Sequence, residues 1–161
     1  MGSVGIKIIK GDVKKTIELL NKALADEWLA FYQYWVGALV VEGPLRPEVQ
    51  KELEEHAKEE FEHANMLANR IIQLGGEPIL NFSDLQKLSN CGYDEPKDFH
   101  VLKILDQNIK GEQCAIDYYA KILESLKGDP ITYNLIRKIL EDEVEHEQDL
   151  ENLKRDISLI K

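Results

Sequence analysis

Glu60-Phe61-Glu62-His63 recurs as Glu143-Val144-Glu145-His146, and a lone glutamate precedes each copy, Glu27 by 33 residues and Glu112 by 31. Residues three apart on a helix lie about 60° apart, so each Glu-x-x-His presents one oxygen and one nitrogen ligand from a single stripe. Two such repeats form the ligand set from which four-helix bundles build a two-metal site. The spacing therefore predicts an all-α bundle whose interior brings together Glu27, Glu60, His63, Glu112, Glu143 and His146.

Charge explains why such a site needs metal. An isolated carboxylate costs several kcal/mol to bury even after the protein relaxes, so four of them in one pocket must either protonate or meet cations. Two divalent ions carry four positive charges, which cancel the four negative charges of the glutamates.

The composition predicts one acidic globular domain. The chain has 161 residues and 43% hydrophobic residues, the size of one domain with a proper core, and we expect residues 1–161 to form it. Its 30 acidic against 20 basic residues give a net charge of −10, which repels nucleic-acid phosphates and attracts cations. Nucleic-acid binding is therefore not expected.

The sequence opens with neither a signal peptide nor a transit segment. It also lacks an apolar run of the roughly 18 residues that would span a membrane. We therefore expect a soluble, cytoplasmic protein without membrane contact.

Apolar periodicity and helix-stop residues predict four long helices. The first covers residues 12–41 and ends at Gly43-Pro44, and the second covers residues 47–74 and ends at Gly75-Gly76. The third covers residues 98–127 and the fourth residues 130–157, with Gly128-Asp129-Pro130 between them. Residues 75–97 are rich in turn formers and form a connection, with a short helical turn at residues 83–88.

The heights of the ligands agree with this arrangement. Glu27 lies about 14 residues before the end of the first helix and Glu60 about 13 after the start of the second, so antiparallel helices place both at one level. Glu112 of the third helix and Glu143 of the fourth are placed at one level for the same reason. The long connection is unusual in a compact domain, but a crossover between helices two and three that runs back along the bundle requires it.

Other interpretations of the motif residues stay open. Glu59 and Asp142, four residues before the histidines, share the stripe of the motif glutamates, and the three-residue spacing is preferred because it is the recurrent one. Acidic helices also produce Glu-x-x-His on solvated faces, where we expect Glu62 and Glu145 to lie. A helical interaction module without metal is thus one alternative.

Four further side chains invite an interpretation. His56, seven residues before His63, is either a third nitrogen near the opening of the site or a histidine paired with a neighbour. Trp28 and Trp35 are expected to anchor the core or a subunit interface. His100 carries no functional expectation.

These motifs resemble those of bacterioferritins and their Dps-like relatives over nearly the whole chain. Beside the six ligands, the resemblance is carried by Ala25-Asp26-Glu27-Trp28 with Gln33-Tyr34, by residues 71–78 and by residues 141–146. It implies a ferritin-like four-helix bundle with a di-iron site inside each subunit. It also implies that Tyr34, seven residues after Glu27, lies beside the iron; a core tyrosine with a satisfied hydroxyl is the alternative.

Three departures refine the resemblance. Phe61 stands where bacterioferritins carry a haem-ligating Met, so no haem is expected. Few residues follow the fourth helix, which favours the 12-subunit homo-oligomeric cage of Dps-like proteins, with a 24-subunit cage as the alternative. Cys91 and Cys114 resemble the cysteine pair of the Dps-like subclass called thioferritins, and they are either two buried free thiols or a disulfide.

The resemblance implies a ferroxidase that protects against oxidative stress. Fe(II), drawn in by the acidic surface, would be oxidised by hydrogen peroxide or dioxygen, with the Dps-like features favouring peroxide, and Fe(III) would be stored as mineral. Glu60 and Glu143 would bridge the two metals, and the other four ligands would each bind one ion. Such a ligand set also suits manganese, so the alternatives are a manganese catalase and a rubrerythrin-like peroxidase, although the Cys-x-x-Cys segment of rubrerythrins is missing.

Overall fold

The computed structural model describes residue 2 and residues 4–160. Within these ranges the chain is helical and holds no β-strand, which confirms the predicted all-α class. The four long helices are α1 (Val13–Val40), α2 (Arg46–Gln73), α4 (Val101–Leu123) and α5 (Pro130–Leu159). A short helix, α3 (Leu85–Leu88), follows a 3-10 turn at Phe82–Asp84 in the long connection, and a second 3-10 turn at Glu124–Leu126 extends α4.

The ends of the helices follow from local side-chain chemistry. Asp12 caps α1 by accepting a hydrogen bond from the backbone N–H of Lys15. Asp129 caps α5 in the same way, with Pro130 in the first turn. Gly75 follows α2 with a φ of 82°, a backbone conformation that glycine adopts without steric cost.

The helices pack in two pairs, α1 against α2 and α4 against α5. Two apolar clusters fill the bundle, one on each side of a polar layer. The first contains Leu20, Leu24, Leu67, Ile71, Tyr119, Ile122, Ile136 and Ile139. The second contains Tyr34, Ala38, Val49, Leu53, Ile104, Leu105, Leu150 and Ile157. The six predicted ligands lie between these clusters, so that the core itself separates them from bulk water.

The long connection is attached to both helix pairs. Buried Asp26 on α1 accepts hydrogen bonds from Ser89 Oγ, from the backbone and side-chain amides of Asn90, and from Cys91 N. Cys91 and Cys114 form a disulfide, with 5.8 Å between their Cα atoms, which joins the connection to α4. Of the two alternatives left open by the sequence, the structure therefore shows the disulfide, because the crossover returns to α4 at the height of Cys114.

A buried ion pair joins α2 to the start of α5. The guanidinium of Arg70 donates to both carboxylate oxygens of Asp129 at 2.9 Å, and Arg70 Nε donates to Thr132 Oγ1 at 2.8 Å. No helix within the described residues is long and apolar enough to cross a membrane.

Candidate metal centre

The structure brings the six predicted ligands together in the middle of the bundle. Glu27 comes from α1, Glu112 from α4, and each Glu-x-x-His from α2 or α5. Every one of the six is at most 3% exposed. Their spacing along the helices therefore points all of them inward, as the sequence predicts.

The donor atoms form two groups that share two members. One group is Glu27, Glu60, His63 and Glu143, and the other is Glu60, Glu112, Glu143 and His146. In each group one donor atom from every residue lies within 4.8 Å of all the others. Two neighbouring ions with Glu60 and Glu143 in common would fit this arrangement.

The shared carboxylates direct one oxygen to each group. Glu60 Oε2 and Glu143 Oε1 lie 3.7 and 3.4 Å from His63 Nδ1. The other oxygens, Glu60 Oε1 and Glu143 Oε2, each lie 3.3 Å from His146 Nδ1. Carboxylates that divide their oxygens between two sites are suited to bridge two metal ions.

The outward nitrogen of each histidine contacts a carboxylate from the opposite helix. His63 Nε2 of α2 lies 3.1 Å from Asp142 Oδ2 of α5, and His146 Nε2 of α5 lies 2.7 Å from Glu59 Oε2 of α2. A proton on Nε2, donated to that carboxylate, leaves the lone pair on Nδ1 for a metal. The sequence raised Glu59 and Asp142 only as alternative ligands, whereas the structure places them behind the histidines.

Two tyrosines hold the outer glutamates in a similar crossed arrangement. The hydroxyl of Tyr34 on α1 donates to Glu112 on α4, and the hydroxyl of Tyr119 on α4 donates to Glu27 on α1. Tyr34 is thus beside the site, with its hydroxyl satisfied by a predicted ligand. The position of Tyr119 beside the site was not predicted from the sequence, although Tyr119 follows Glu112 by seven residues just as Tyr34 follows Glu27.

Without metal, protons supply the positive charge that the buried glutamates need. Burial raises the pKa of Glu27 and of Glu112 well above the usual value, and the charges of Glu143 and Glu60 raise both further. Burial opposes protonation of His146, but the adjacent carboxylates of Glu143 and Glu60 outweigh it and raise its pKa to about 12. Carboxylates around His63 raise its pKa as well.

Several buried donor atoms have no hydrogen-bond partner within the described chain. They include Glu60 Oε1, both oxygens of Glu143 and His146 Nδ1, all of which face the interior of the centre. Leaving a buried polar atom unpaired costs about 1–3 kcal/mol, and more for a charged group. These unpaired atoms are oxygen and imidazole nitrogen, which suit divalent iron or manganese. The residues present therefore fit a pair of such ions.

Cavities approach the centre from two sides. One of about 230 Å³ lies between α1 and α4 beneath the long connection, and its walls include Glu27, Glu112 and Cys91. The other, of about 320 Å³, lies between α2 and α5, and its walls hold seven acidic residues and one lysine: Glu52, Glu55, Glu59, Glu62, Asp142, Glu145, Asp149 and Lys138. We call this second space the acidic cavity. Glu62 and Glu145 are exposed there, as expected.

The remaining predicted residues lie around the centre. His56 is 3% exposed and stacks on His146, with 4.1 Å between ring centroids. Burial and the neighbouring His146 lower its pKa to about 3, so its imidazole is neutral. Trp28 packs against Phe31 and Phe61, Trp35 is 46% exposed, and His100 caps α4.

Comparisons with known proteins agree with this fold. A sequence profile described as a ferritin-like domain matches residues 17–160. The chain is 37% identical to the DNA protection during starvation protein of Pyrococcus furiosus, over 88% of this chain and 78% of that protein. It is 32% identical to the bacterioferritin of Rhodobacter capsulatus, over 89% and 84% respectively.

Among solved structures, the chain is similar to the bacterioferritin-related protein from Bacteroides fragilis, described as a dodecameric thioferritin. The TM-score is 0.94 and the identity 46%, over 99% of this chain and 100% of that one. The resemblance inferred from the motifs is thereby confirmed.

Proposed function

Because this chain belongs to the ferritin-like domain family, we propose that it is a ferroxidase that oxidises Fe(II) at an intrasubunit di-iron centre and stores the Fe(III) in a homo-oligomeric cage. One observation carries the proposal: two donor groups share Glu60 and Glu143, whose oxygens are divided between them. A bundle that merely exposed acidic residues to water would have no reason to bury these four carboxylates.

The proposed ligands have distinct tasks. Glu27 and Glu112 would each bind one ion, held in place by the hydroxyls of Tyr119 and Tyr34. His63 and His146 would each present Nδ1, oriented by Asp142 and Glu59. Two Fe(II) ions, when bound, supply one electron each to an oxidant that needs two.

The chain's own groups would also manage protons. Protonated His63 and His146, with protonated Glu27 and Glu112, balance the metal-free site, and divalent ions must displace those protons in order to bind. Iron loading is therefore coupled to proton release. Tighter loading at higher pH follows.

The relatives support a cage, and the proposed reaction implies protection against oxidative stress. The relative from Bacteroides fragilis is described as dodecameric, and we propose a 12-subunit assembly for this chain, with 24 subunits as the alternative. Exposed apolar side chains such as Trp35, Leu39, Leu80 and Phe82 would be covered by neighbouring subunits. Hydrogen peroxide is the proposed oxidant, since its consumption together with Fe(II) removes both reagents of radical formation.

Two predictions from the sequence stay part of the proposal. Phe61 packs against Trp28 and Phe31 and carries no atom that could ligate haem, so no haem is proposed. The net charge of −10 opposes direct binding to nucleic acid. Protection of DNA would then come from removing Fe(II) and peroxide.

The test is Fe(II) oxidation by peroxide and, separately, by dioxygen. Wild-type protein is expected to consume two Fe(II) per peroxide and then to hold iron as particles that scatter light inside the cage. Glu60→Ala and Glu143→Ala should abolish the protein-dependent rate, whereas Glu145→Ala, which changes an exposed acid of the same face, should not. Equal rates in all four proteins would contradict the proposal and favour a helical interaction module.

Two rival enzymes give different products. A manganese catalase would evolve oxygen from peroxide without consuming Fe(II). A rubrerythrin-like peroxidase would reduce peroxide with electrons from an added reductant, without accumulating stored iron. Oxygen measurement and iron analysis of the same sample separate all three activities.

A further inference from the structure

The cavity between α1 and α4 differs in chemistry from the acidic cavity, although both reach the centre. We call it the roofed cavity, because the long connection covers it. Its inner wall consists of four of the predicted ligands, Glu27, Glu60, Glu112 and Glu143. The only other charged side chains in its walls are Asp26, Asp94 and Lys110, and the carboxylate of Asp26 is already occupied by four hydrogen bonds from the connection. The acidic cavity attracts cations, whereas the roofed cavity suits an uncharged molecule.

The roofed cavity is larger than hydrogen peroxide requires. Its volume is about 230 Å³, and one water-sized group needs roughly 10–15 Å³ of such space. Hydrogen peroxide has two heavy atoms, whereas tert-butyl hydroperoxide has six and by the same measure needs roughly 60–90 Å³. An organic hydroperoxide would therefore fit beside the four carboxylates.

The space in the roofed cavity comes from residues with little or no side chain. Ala30 on α1, with Gly111 and Ala115 on α4, lines the cavity. Gly111 lies inside a long helix, where glycine costs about 1 kcal/mol relative to alanine. Among the described residues, a methyl group added there would come within 4 Å of a single atom beyond the local helix, Gln33 Nε2 at 3.6 Å, which is an ordinary contact. Packing therefore does not require glycine at this position, and its effect is to keep the cavity open.

An amide in the wall can bind the oxygen atoms of a hydroperoxide. Gln33 Nε2 lies 3.4 Å from Asn108 Oδ1 and 3.5 Å from the backbone oxygen of Gln107. Both distances exceed the usual value of about 2.9–3.0 Å, so these hydrogen bonds are weak and the amide keeps donor capacity. Gln33 is nearly buried and borders the cavity one residue before Tyr34. Its amide is thus placed to donate to a peroxide oxygen beside the centre.

The roof of the cavity is fixed before any substrate binds. Cys91 and Gly92 of the connection form part of the wall. The disulfide joins Cys91 to α4, and the backbone N–H of Asp94 donates to Gln33 Oε1 at 3.1 Å. A pre-formed pocket with an apolar part and a few polar groups is the usual form of a binding site for a small organic molecule.

We propose that the roofed cavity binds organic hydroperoxides, and that the protein reduces them to alcohols with Fe(II) as the electron donor. This reaction rests on the proposed ferroxidase function and extends its oxidant from hydrogen peroxide to R–O–O–H. The O–O bond breaks, two Fe(II) ions lose one electron each, and two protons from the solvent complete one R–OH and one water. The alkyl group lies against Ala30, Gly111 and Ala115, and the amide of Gln33 donates to the peroxide.

The test compares Fe(II) oxidation by tert-butyl hydroperoxide and by hydrogen peroxide in the intact assembly. Wild type should form one tert-butyl alcohol for every two Fe(II), without the acetone that one-electron cleavage releases through an alkoxyl radical. Gly111→Leu fills the cavity and should lower the rate with tert-butyl hydroperoxide about tenfold or more, while Fe(II) binding and the rate with hydrogen peroxide change less than about twofold. Ala115→Leu fills the cavity from the next turn of α4, in case Gly111→Leu does not fold. Ala120→Leu, at an exposed position of the same helix, is the control.

Binding is also measurable without iron. Metal-free wild-type crystals soaked in tert-butyl hydroperoxide should show the molecule in the roofed cavity, with one oxygen within about 3.2 Å of Gln33 Nε2. Crystals of Gly111→Leu or Ala115→Leu should show none there.

The outcomes separate this inference from the proposed function. If hydrogen peroxide oxidises Fe(II) at the protein but tert-butyl hydroperoxide does not, the ferroxidase stands and the inference is refuted. Equal rates with tert-butyl hydroperoxide in wild type and both cavity-filling variants, or acetone as the product, would also refute it. If neither oxidant reacts faster with the protein than without it, the proposed function fails, and the soaked crystals alone decide whether the cavity binds hydroperoxides.

Discussion

Removal of Asp142 should weaken one half of the di-metal centre and spare the other. Asp142 accepts from His63 Nε2 at 3.1 Å, whereas among the described residues the ion pairs of His146 are with Glu59, Glu60, Glu112 and Glu143. Carboxylates in this position orient the imidazole and increase its basicity, and their loss typically lowers metal affinity about 10- to 100-fold, or roughly 1.4–2.7 kcal/mol. Asp142→Ala should therefore reduce metal affinity by that factor in the half of the centre that contains His63. Asp142→Asn keeps an acceptor but loses the charge, so its metal affinity should lie between those of wild type and Asp142→Ala.

The assay is anaerobic Co(II) titration against a competing chelator, followed by visible absorbance. Wild type should show two tight Co(II)-binding steps, and Asp142→Ala should show one tight and one weakened step. Glu59→Gln should weaken the other step, because Glu59 contacts His146. Glu145→Ala is the matched control on the same face of α5. Unchanged affinity in Asp142→Ala, with circular dichroism showing an intact fold, would refute the crossed carboxylate–histidine pairs.

The buried charges and the crosslink should also affect stability in measurable ways. Metal-free protein should lose stability as the pH rises from about 6 to about 8. The pKa of His146 is about 12 in the folded protein against 6.5 unfolded, so its protonation stabilises the fold most below pH 6.5. That contribution falls by about 1.4 kcal/mol per pH unit above this value; chemical unfolding at both pH values checks this, and a rise in stability with pH would contradict it. Asp129→Ala should lower the free energy of unfolding by about 3–5 kcal/mol, because it leaves Arg70 buried without its partner. Arg137→Ala removes an exposed pair and should lower it by less than about 1 kcal/mol in the same thermal unfolding measurement. Reduction of the Cys91–Cys114 disulfide should cost about 3 kcal/mol, as expected for a crosslink that spans 23 residues, and an equal unfolding midpoint with and without reductant would argue against the bond.

Local patterns allowed much of the fold to be predicted. The ends of α1, α2 and α5 lie within a few residues of those expected, because Asp12, Gly75 and Pro130 act on their own helices without distant contacts. The six buried donors could be predicted for a similar reason. A ligand at a fixed spacing on an amphipathic helix must face the same way as its apolar neighbours.

Features that depend on the relative rotation of helices could not be predicted. The contact of Asp142 with His63 and that of Glu59 with His146 require α2 and α5 to face each other at one particular angle. The disulfide likewise depends on the path of the crossover, which is held by Asp26. Tyr119 is different, because the repeated seven-residue spacing from a ligand glutamate was a usable signal.

The buried pair of metal sites is measured most directly by the anomalous diffraction of crystals grown with Fe(II) or Mn(II). A two-metal centre predicts two peaks among the six buried side chains of each chain, about 3.5–4 Å apart, each adjacent to one histidine Nδ1, with Glu60 and Glu143 between them. A single peak bound by one histidine, or none among the six buried side chains, would contradict it.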